Sequence, residues 1–380
     1  MSRPPENAVA MRWIAIAVAL LVLSSATACG GRPDAETYVD SNQSRESHSL
    51  VFSGSADDEG VSHLYVAGGK RWNVRRLAGA FDGFEWPLWS PTYDHLADES
   101  GIVMRSDGTG RRNLGVYLRP GFPWAPDGKR LVYSDDPYEE GPIFVVSASR
   151  SSPQRVANGS RAQWGPDGRI YYQHGSAIHA LDVVSRRAVT VATASGWVLG
   201  YESWSPDGRR VAYDVGVEEH RSVYVLEPGS STEPTALLAD LDPPIVDINA
   251  YGWAPDGEHL AVIAGRDDSS AEPLGPGTYG IRWELHIVDV DDGSSEEVLD
   301  IEAHDLAWSP DGQWIALTRY WGFNRWRGSA SDIWLVQPDG TGLRQVTDGR
   351  DPGKDWNHTT GTSYAHATWV PVAAVARRVG

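Results

Sequence analysis

Few residues in this 380-residue chain are of a type and spacing that could carry chemistry. Its 11 histidines are scattered, but His304 and His366 each lie a few residues before a tryptophan, and Asp305 adjoins the first of them. Two imidazoles and a carboxylate make a donor set for a divalent cation such as Ca²⁺ or Mn²⁺, which makes His304, Asp305 and His366 the candidate metal ligands. A second group is aromatic and basic: Trp321, Phe323, Arg325 and Trp326 fall within eight residues, and Trp356 and His358 follow in a later polar stretch. Aromatic faces beside guanidinium groups suit recognition of sugars, peptides or aromatic headgroups. The plainer use of the same rings is to pack on one another beneath a long loop. Carboxylates also gather, at Asp57, Asp58 and Glu59, at Asp135, Asp136, Glu139 and Glu140, and at Asp214, Glu218 and Glu219. Their spacing matches no calcium loop, so they read as a solvated acidic rim.

Motifs of catalysis are missing from the sequence. There is no G-x-S-x-G elbow, no H-E-x-x-H and no Walker loop. Residues 275–280 match G-x-G-x-x-G in letters, but no strand pattern precedes them and no helix pattern follows, so they read as a loop. No residue is assigned a catalytic role.

The elements that must position these groups are announced by a repeat. Trp204-Ser205-Pro206-Asp207-Gly208 recurs with Trp at 308 and, with Ala or Gly in second place, at 124, 164 and 253, and worn copies stand at Trp89 and Trp369. Pro presets φ, Asp bonds its own backbone and Gly takes a positive φ, so Pro-Asp-Gly is a turn with a mechanism. The runs that follow, such as Val211-Ala212-Tyr213 and Ile315-Ala316-Leu317, have the β-branched and aromatic content of strands. A further strand comes next in each unit, as at Ile333-Trp334-Leu335-Val336, then a Gly/Asp/Ser turn, Asp-Gly-Thr at 107–109 and 339–341, and a closing strand. Four short strands per unit, repeated, predict an all-β ring that hides its sheet edges. The Trp residues read as anchors between neighbouring sheets.

The W-S-P-D-G hairpin, with the later Pro338-Asp339-Gly340-Thr341-Gly342-Leu343-Arg344-Gln345-Val346-Thr347, resembles the TolB-type propeller repeat over residues 48–373. That resemblance implies a β-propeller of four-stranded antiparallel blades, and the repeat marks count to seven. The strand around Trp369 is expected to pair with the strand at Leu50-Val51-Phe52 and close the ring. The resemblance is specific for fold, since such propellers serve as binding platforms, as gating domains of peptidases and as metal-dependent lyases. TolB itself carries an additional N-terminal domain for which this chain has no room.

Composition narrows the partners. Lys plus Arg total 33 against 51 Asp plus Glu, a net charge of −18, which excludes a phosphate-backbone footprint and hence nucleic acid. Residues 1–28 read as a signal peptide, with Arg3 and Arg12 before an eleven-residue apolar run at 13–23, too short to span a bilayer. A start at Met11 gives a more compact leader. The small residues 24–28 before Cys29, the only cysteine, resemble a bacterial lipobox, with Ala26 where Leu is usual. That resemblance implies a diacylglyceryl anchor on Cys29 and a place on the extracytoplasmic side of the cell membrane. A single cysteine also excludes disulfides and zinc-cysteine clusters. Residues 29–47 read as a flexible tether and 374–380 as a tail. The expected protein is a monomeric, non-catalytic lipoprotein that binds an envelope protein or glycan, with a metal-dependent polysaccharide lyase or hydrolase as the alternative.

Overall fold

The computed structural model describes residues 48–56, 62–68, 72–77, 86–118, 123–134, 139–193, 197–198, 203–217, 220–228, 230, 234–239, 241, 244–268, 281–324, 328–347 and 362–371. Cys29 and the leader lie outside them. The described residues fold as strands joined by turns.

In chain order these are β1 (His48–Ala56), β2 (Ser62–Gly68) and β3 (Asn73–Leu77), then β4 (Leu88–Trp89), β5 (His95–Ala97), β6 (Ile102–Arg105) and β7 (Arg112–Asn113). Next come β8 (Arg130–Ser134), β9 (Gly141–Ser147), β10 (Arg150–Trp164), β11 (Ile170–His174), β12 (Ala177–Asp182) and β13 (Arg187–Thr193). They are followed by β14 (Trp197–Val198), β15 (Ser203–Trp204), β16 (Val211–Val217), β17 (His220–Leu226) and β18 (Thr235–Leu237). The last three groups are β19 (Ile245–Trp253), β20 (His259–Asp267), β21 (Ile281–Asp289) and β22 (Ser295–Asp300); β23 (Asp305–Trp308), β24 (Ile315–Asn324), β25 (Gly328–Val336) and β26 (Arg344–Gln345); and β27 (Thr362–Pro371).

These strands hydrogen-bond into six sheets, which corrects the expected seven separate blades. One element makes the difference. The third and fourth repeat units are not separated by a break, because β10 is a single 15-residue strand that pairs with β9 along its first part and with β11 from Ser160 onward. Asn158-Gly159 has the letters of a turn, yet the strand runs straight through it, and Gly159 lets the neighbouring strand pass close by. A Cβ on Gly159 would lie 2.3 Å from the carbonyl oxygen of Gln173. The strands β8 to β13 therefore form one six-stranded sheet. Trp124, expected to end an inner strand of its own, makes only an isolated bridge to Leu131.

The closing strand behaves as its repeat position demands. β27 runs antiparallel to β1, with Trp369 opposite Leu50 and Thr368 opposite Val51. Each Pro-Asp-Gly turn also has the expected mechanism. The Gly N–H donates to the residue after the Trp, as from Gly208 to the Ser205 carbonyl at 2.8 Å, and the Asp carboxylate accepts the N–H two residues on, as Asp207 does from Arg209 at 3.0 Å. Gly208 has φ of 71°.

Core lies between sheets. Leu50 and Phe52 of β1 pack with Trp314, Ala316, Ile333 and Leu335 of the β23–β26 sheet and with Trp369. The first strands touch one another around the ring, β15 with β19, β19 with β23 and β23 with β27, so these edges face its axis. Anchor tryptophans tie them together. The indole N–H of Trp253 donates to the Ser203 carbonyl at 2.8 Å, Trp308 to Gly252 at 3.1 Å, Trp369 to Ala307 at 3.0 Å and Trp124 to Leu88 at 2.9 Å. In each case the acceptor immediately precedes the anchor of another repeat, so an aromatic core residue also satisfies its polar edge. The indole nitrogens of the anchors Trp89, Trp164 and Trp204 have no such partner, so the stitch is made in four of the repeats and not in these three.

Candidate functional site

The residue three positions before an anchor tryptophan sits near the start of an axis-facing strand, at the end of the ring opposite the Pro-Asp-Gly turns. Among the described residues this position holds a side chain with chemistry in four repeats: Trp86 before Trp89, Arg161 before Trp164, Asp305 before Trp308 and His366 before Trp369.

Backbone geometry singles out two of them. Arg161 and His366 are non-glycine residues with φ of 57° and 56°. Both stand in a β-bulge. In the first, Ser160 pairs with Gln173 and Gln163 with Tyr171, so Arg161 and Ala162 together oppose Tyr172. In the second, Ala365 pairs with Ser53 and Thr368 with Val51, so His366 and Ala367 together oppose Phe52. Bulges re-aim side chains, and a left-handed non-glycine residue costs on the order of 1–3 kcal/mol that the surrounding strands must offset.

His366, Trp86 and Asp305 come together at the ring's closure. The imidazole stacks on the Trp86 indole with centroids 3.5 Å apart and planes within 19°. Its Nδ1 is buried without a hydrogen-bond partner and lies 3.6 Å from Asp305 Oδ2. The other carboxylate oxygen, Oδ1, accepts the Leu306 N–H at 2.9 Å, which fixes the Asp305 side chain. The His366 side chain is 22% exposed and that of Asp305 30%.

His304, read with them as a metal ligand, turns elsewhere. Its Nε2 lies 3.7 Å from Glu302 and its ring is tilted against Trp283 at 6.2 Å. Alternation explains this: His304 and Asp305 are neighbours along an extended chain and project to opposite sides. Among the described residues no three His, Cys, Asp or Glu side chains cluster as a metal site would require. The Ca²⁺ or Mn²⁺ set of His304, Asp305 and His366 is thus reduced to an Asp–His pair.

On the far side of the ring Arg161 is 9% exposed and faces a buried charge cluster. Asp214 of β16 is 2% exposed, with Tyr251 donating to it at 3.4 Å and Arg221 Nη1 3.9 Å away. Arg221 itself is held more closely by Asp247, at 2.7 Å, and by the Ile248 carbonyl at 3.2 Å. Burial pushes the Asp214 carboxyl above its ordinary range, and the charges of Arg221 and Arg161 only partly offset that. Asp214 was counted in the solvated acidic rim, and the structure corrects this. Glu140 does stay at the surface, beside His174 at 3.0 Å.

A second buried carboxylate has the opposite surroundings. Glu284 of β21 is fully buried, with Arg266 at 2.6 Å, His286 Nε2 at 3.0 Å and Arg282 at 3.1 Å. Burial raises its carboxyl, but the Arg266 and His286 hydrogen bonds and the two guanidinium charges outweigh it and hold the group below the ordinary range. Nothing in this cluster reaches the axis.

The aromatic-basic group is placed only in part. Trp321 and Phe323 belong to β24, paired with Ala330 and Ser329 of β25, so the stretch expected as a loop is the end of a strand hairpin. Arg325, Trp326, Trp356 and His358 lie outside the described residues. Trp86 and Arg161 were missed by sequence reasoning. The signal that finds them is positional: both stand where His366 and Asp305 stand, counted back from an anchor Trp.

No protein-family model matches the chain. It is 25% identical over 228 residues to an uncharacterized protein of Agrobacterium fabrum, a match that spans 59% of this chain and 57% of that relative. Among solved structures, the β-propeller domain of the trilobed protease of Pyrococcus furiosus is similar with a TM-score of 0.52 at 11% identity, over 80% of this chain and 96% of that one. That domain is described as having an open Velcro topology. TolB of Acinetobacter baumannii is matched at a TM-score of 0.49 and 12% identity, over 85% of this chain and 66% of that one. The fold is that of a β-propeller.

Proposed function

We propose that this chain is a lipoprotein held at the outer side of the cell membrane through Cys29, whose propeller is a non-catalytic binding platform for an envelope protein or glycan. The observation that carries the binding reading is the His366–Trp86–Asp305 wall, where a left-handed imidazole is kept at the axis end of the ring by stacking and a carboxylate. The bulge and its left-handed backbone aim the His366 side chain at Trp86 and Asp305, where part of it stays exposed. Among the described residues around it, no nucleophile stands beside a base. The anchor rests on the sequence alone: the short apolar run, the small residues after it and the single Cys29. Two acyl chains suffice for stable membrane attachment where one is marginal.

Two arms test this. Cys29→Ser should move the protein to the soluble fraction or leave it unprocessed, and unchanged fractionation and mass would contradict the anchor. The wild-type protein and His366→Asn, each immobilised, should differ in what they retain from envelope extracts. Identical retention would remove this end of the ring from the reading.

A further inference from the structure

Three side chains at one wall define what could lie against them. Trp86 offers an aromatic surface, His366 is stacked flat on it, and Asp305 stands beside the imidazole. Because Nδ1 is buried toward Asp305, the exposed part of the His366 side chain carries Nε2 as its remaining polar atom. A carboxylate beside Nδ1 favours the proton on that nitrogen, which leaves Nε2 an acceptor. Among the described residues the charge beside the imidazole is the Asp305 carboxylate, which turns away an anionic ligand. A ligand that suits all of this has an apolar face to lie along aromatic edges and neutral donors on its rim. A sugar ring has both.

We propose that His366, oriented by Asp305 and held by Trp86, is the recognition residue of this wall, and that the ligand is a neutral glycan donating a hydroxyl hydrogen to Nε2. This rests on the binding-platform reading and narrows its partner. Arg161 supplies the internal control: it has the same repeat position, the same bulge and the same left-handed backbone, but is buried against Asp214 and takes no part.

The experiment is a titration of the full-length protein in detergent, followed by tryptophan fluorescence, with maltohexaose, cellohexaose and chitohexaose as neutral probes. Tetragalacturonate and tetra-alanine serve as anionic and peptide probes. At least one neutral hexasaccharide should give a saturable change, and His366→Asn should weaken it about tenfold, as loss of one hydrogen bond and one ring contact would. Asn tolerates the left-handed backbone, so this variant keeps its fold, and His366→Gly provides a second variant without strain. Asp305→Asn should weaken the same binding by a smaller factor and shift its pH profile. No saturable response to any of the three neutral probes at millimolar concentration overturns the proposal, as does full affinity in both His366 variants. A His366-dependent response to the peptide or the acidic sugar instead also overturns the glycan assignment, while leaving the platform reading in place. Retention from envelope extracts that ignores His366 separately removes this end of the ring from that reading.

Discussion

His366 and Arg161 occupy the same place in two repeats, in the same kind of bulge and with nearly the same φ, yet they do different things. On the closure side the bulge sets an imidazole on Trp86 with one edge partly open. On the far side it turns a guanidinium inward, toward a carboxylate whose charge burial disfavours. One backbone device, supplied by the repeat, thus serves recognition in one place and internal charge balance in the other. What decides between them is the neighbouring sheet: Asp305 and Trp86 leave His366 accessible, whereas Asp214, Tyr251 and Arg221 accompany a buried Arg161.

The largest effect that bears on this comparison is at the closure itself. Deleting residues 362–380 removes β27, and with it His366, the Trp369 anchor and the cover on β1. An exposed strand edge and an emptied aromatic site should turn a soluble protein into an aggregating one. Recovery of soluble protein that melts like the parent would show that the closure side is dispensable. Trp369→Ala alone should cost about 3–5 kcal/mol in denaturant unfolding.

Next come the buried carboxylates, whose opposite surroundings predict opposite signs. Glu284→Gln removes the buried charge facing Arg266 and Arg282, which keep Glu297 and, for Arg282, Asp300, and should cost about 1–3 kcal/mol. Because the folded-state carboxyl is held below its ordinary range, its contribution is present above the unfolded value near 4 and is lost as pH falls through the folded one. Asp214 runs the other way. Its folded value is raised, so its favourable contribution is complete in acid and disappears as pH rises through that value. Asp214→Asn should therefore melt slightly higher than the parent at neutral pH, with the gain vanishing in acid. A lower melting temperature at neutral pH would mean that Arg161 depends on the Asp214 charge more than burial opposes it.

Smallest is the strain. His366→Gly removes a left-handed penalty and loses one ring contact, so its melting temperature should stay within a few degrees of the parent. A large loss of stability would make the Trp86 stack structural rather than a support for recognition.

Much of the fold was legible because turn chemistry is local. Pro-Asp-Gly fixes each hairpin by its own dihedrals and hydrogen bonds, and the pairing of β27 with β1 followed from an unmatched Trp369. The merged sheet was not legible, since nothing in residues 150–164 advertises that two pairings share one strand; their continuity depends on the close passage at Gly159. The site was half legible. His366 and Asp305 were found by type, but His304 was wrongly joined to them because strand alternation was not applied to adjacent residues. Trp86 looked like one more core aromatic, and Asp214 like one more surface acid, because burial between sheets is a long-range property that composition does not carry.

The most direct test of the recognition role is nitrogen NMR of His366 in the intact protein. The account predicts a proton on Nδ1 toward Asp305 and an Nε2 resonance that shifts when a neutral hexasaccharide is added to saturation. An Nε2 resonance that does not move, while the same sugar saturates the protein elsewhere, would contradict it.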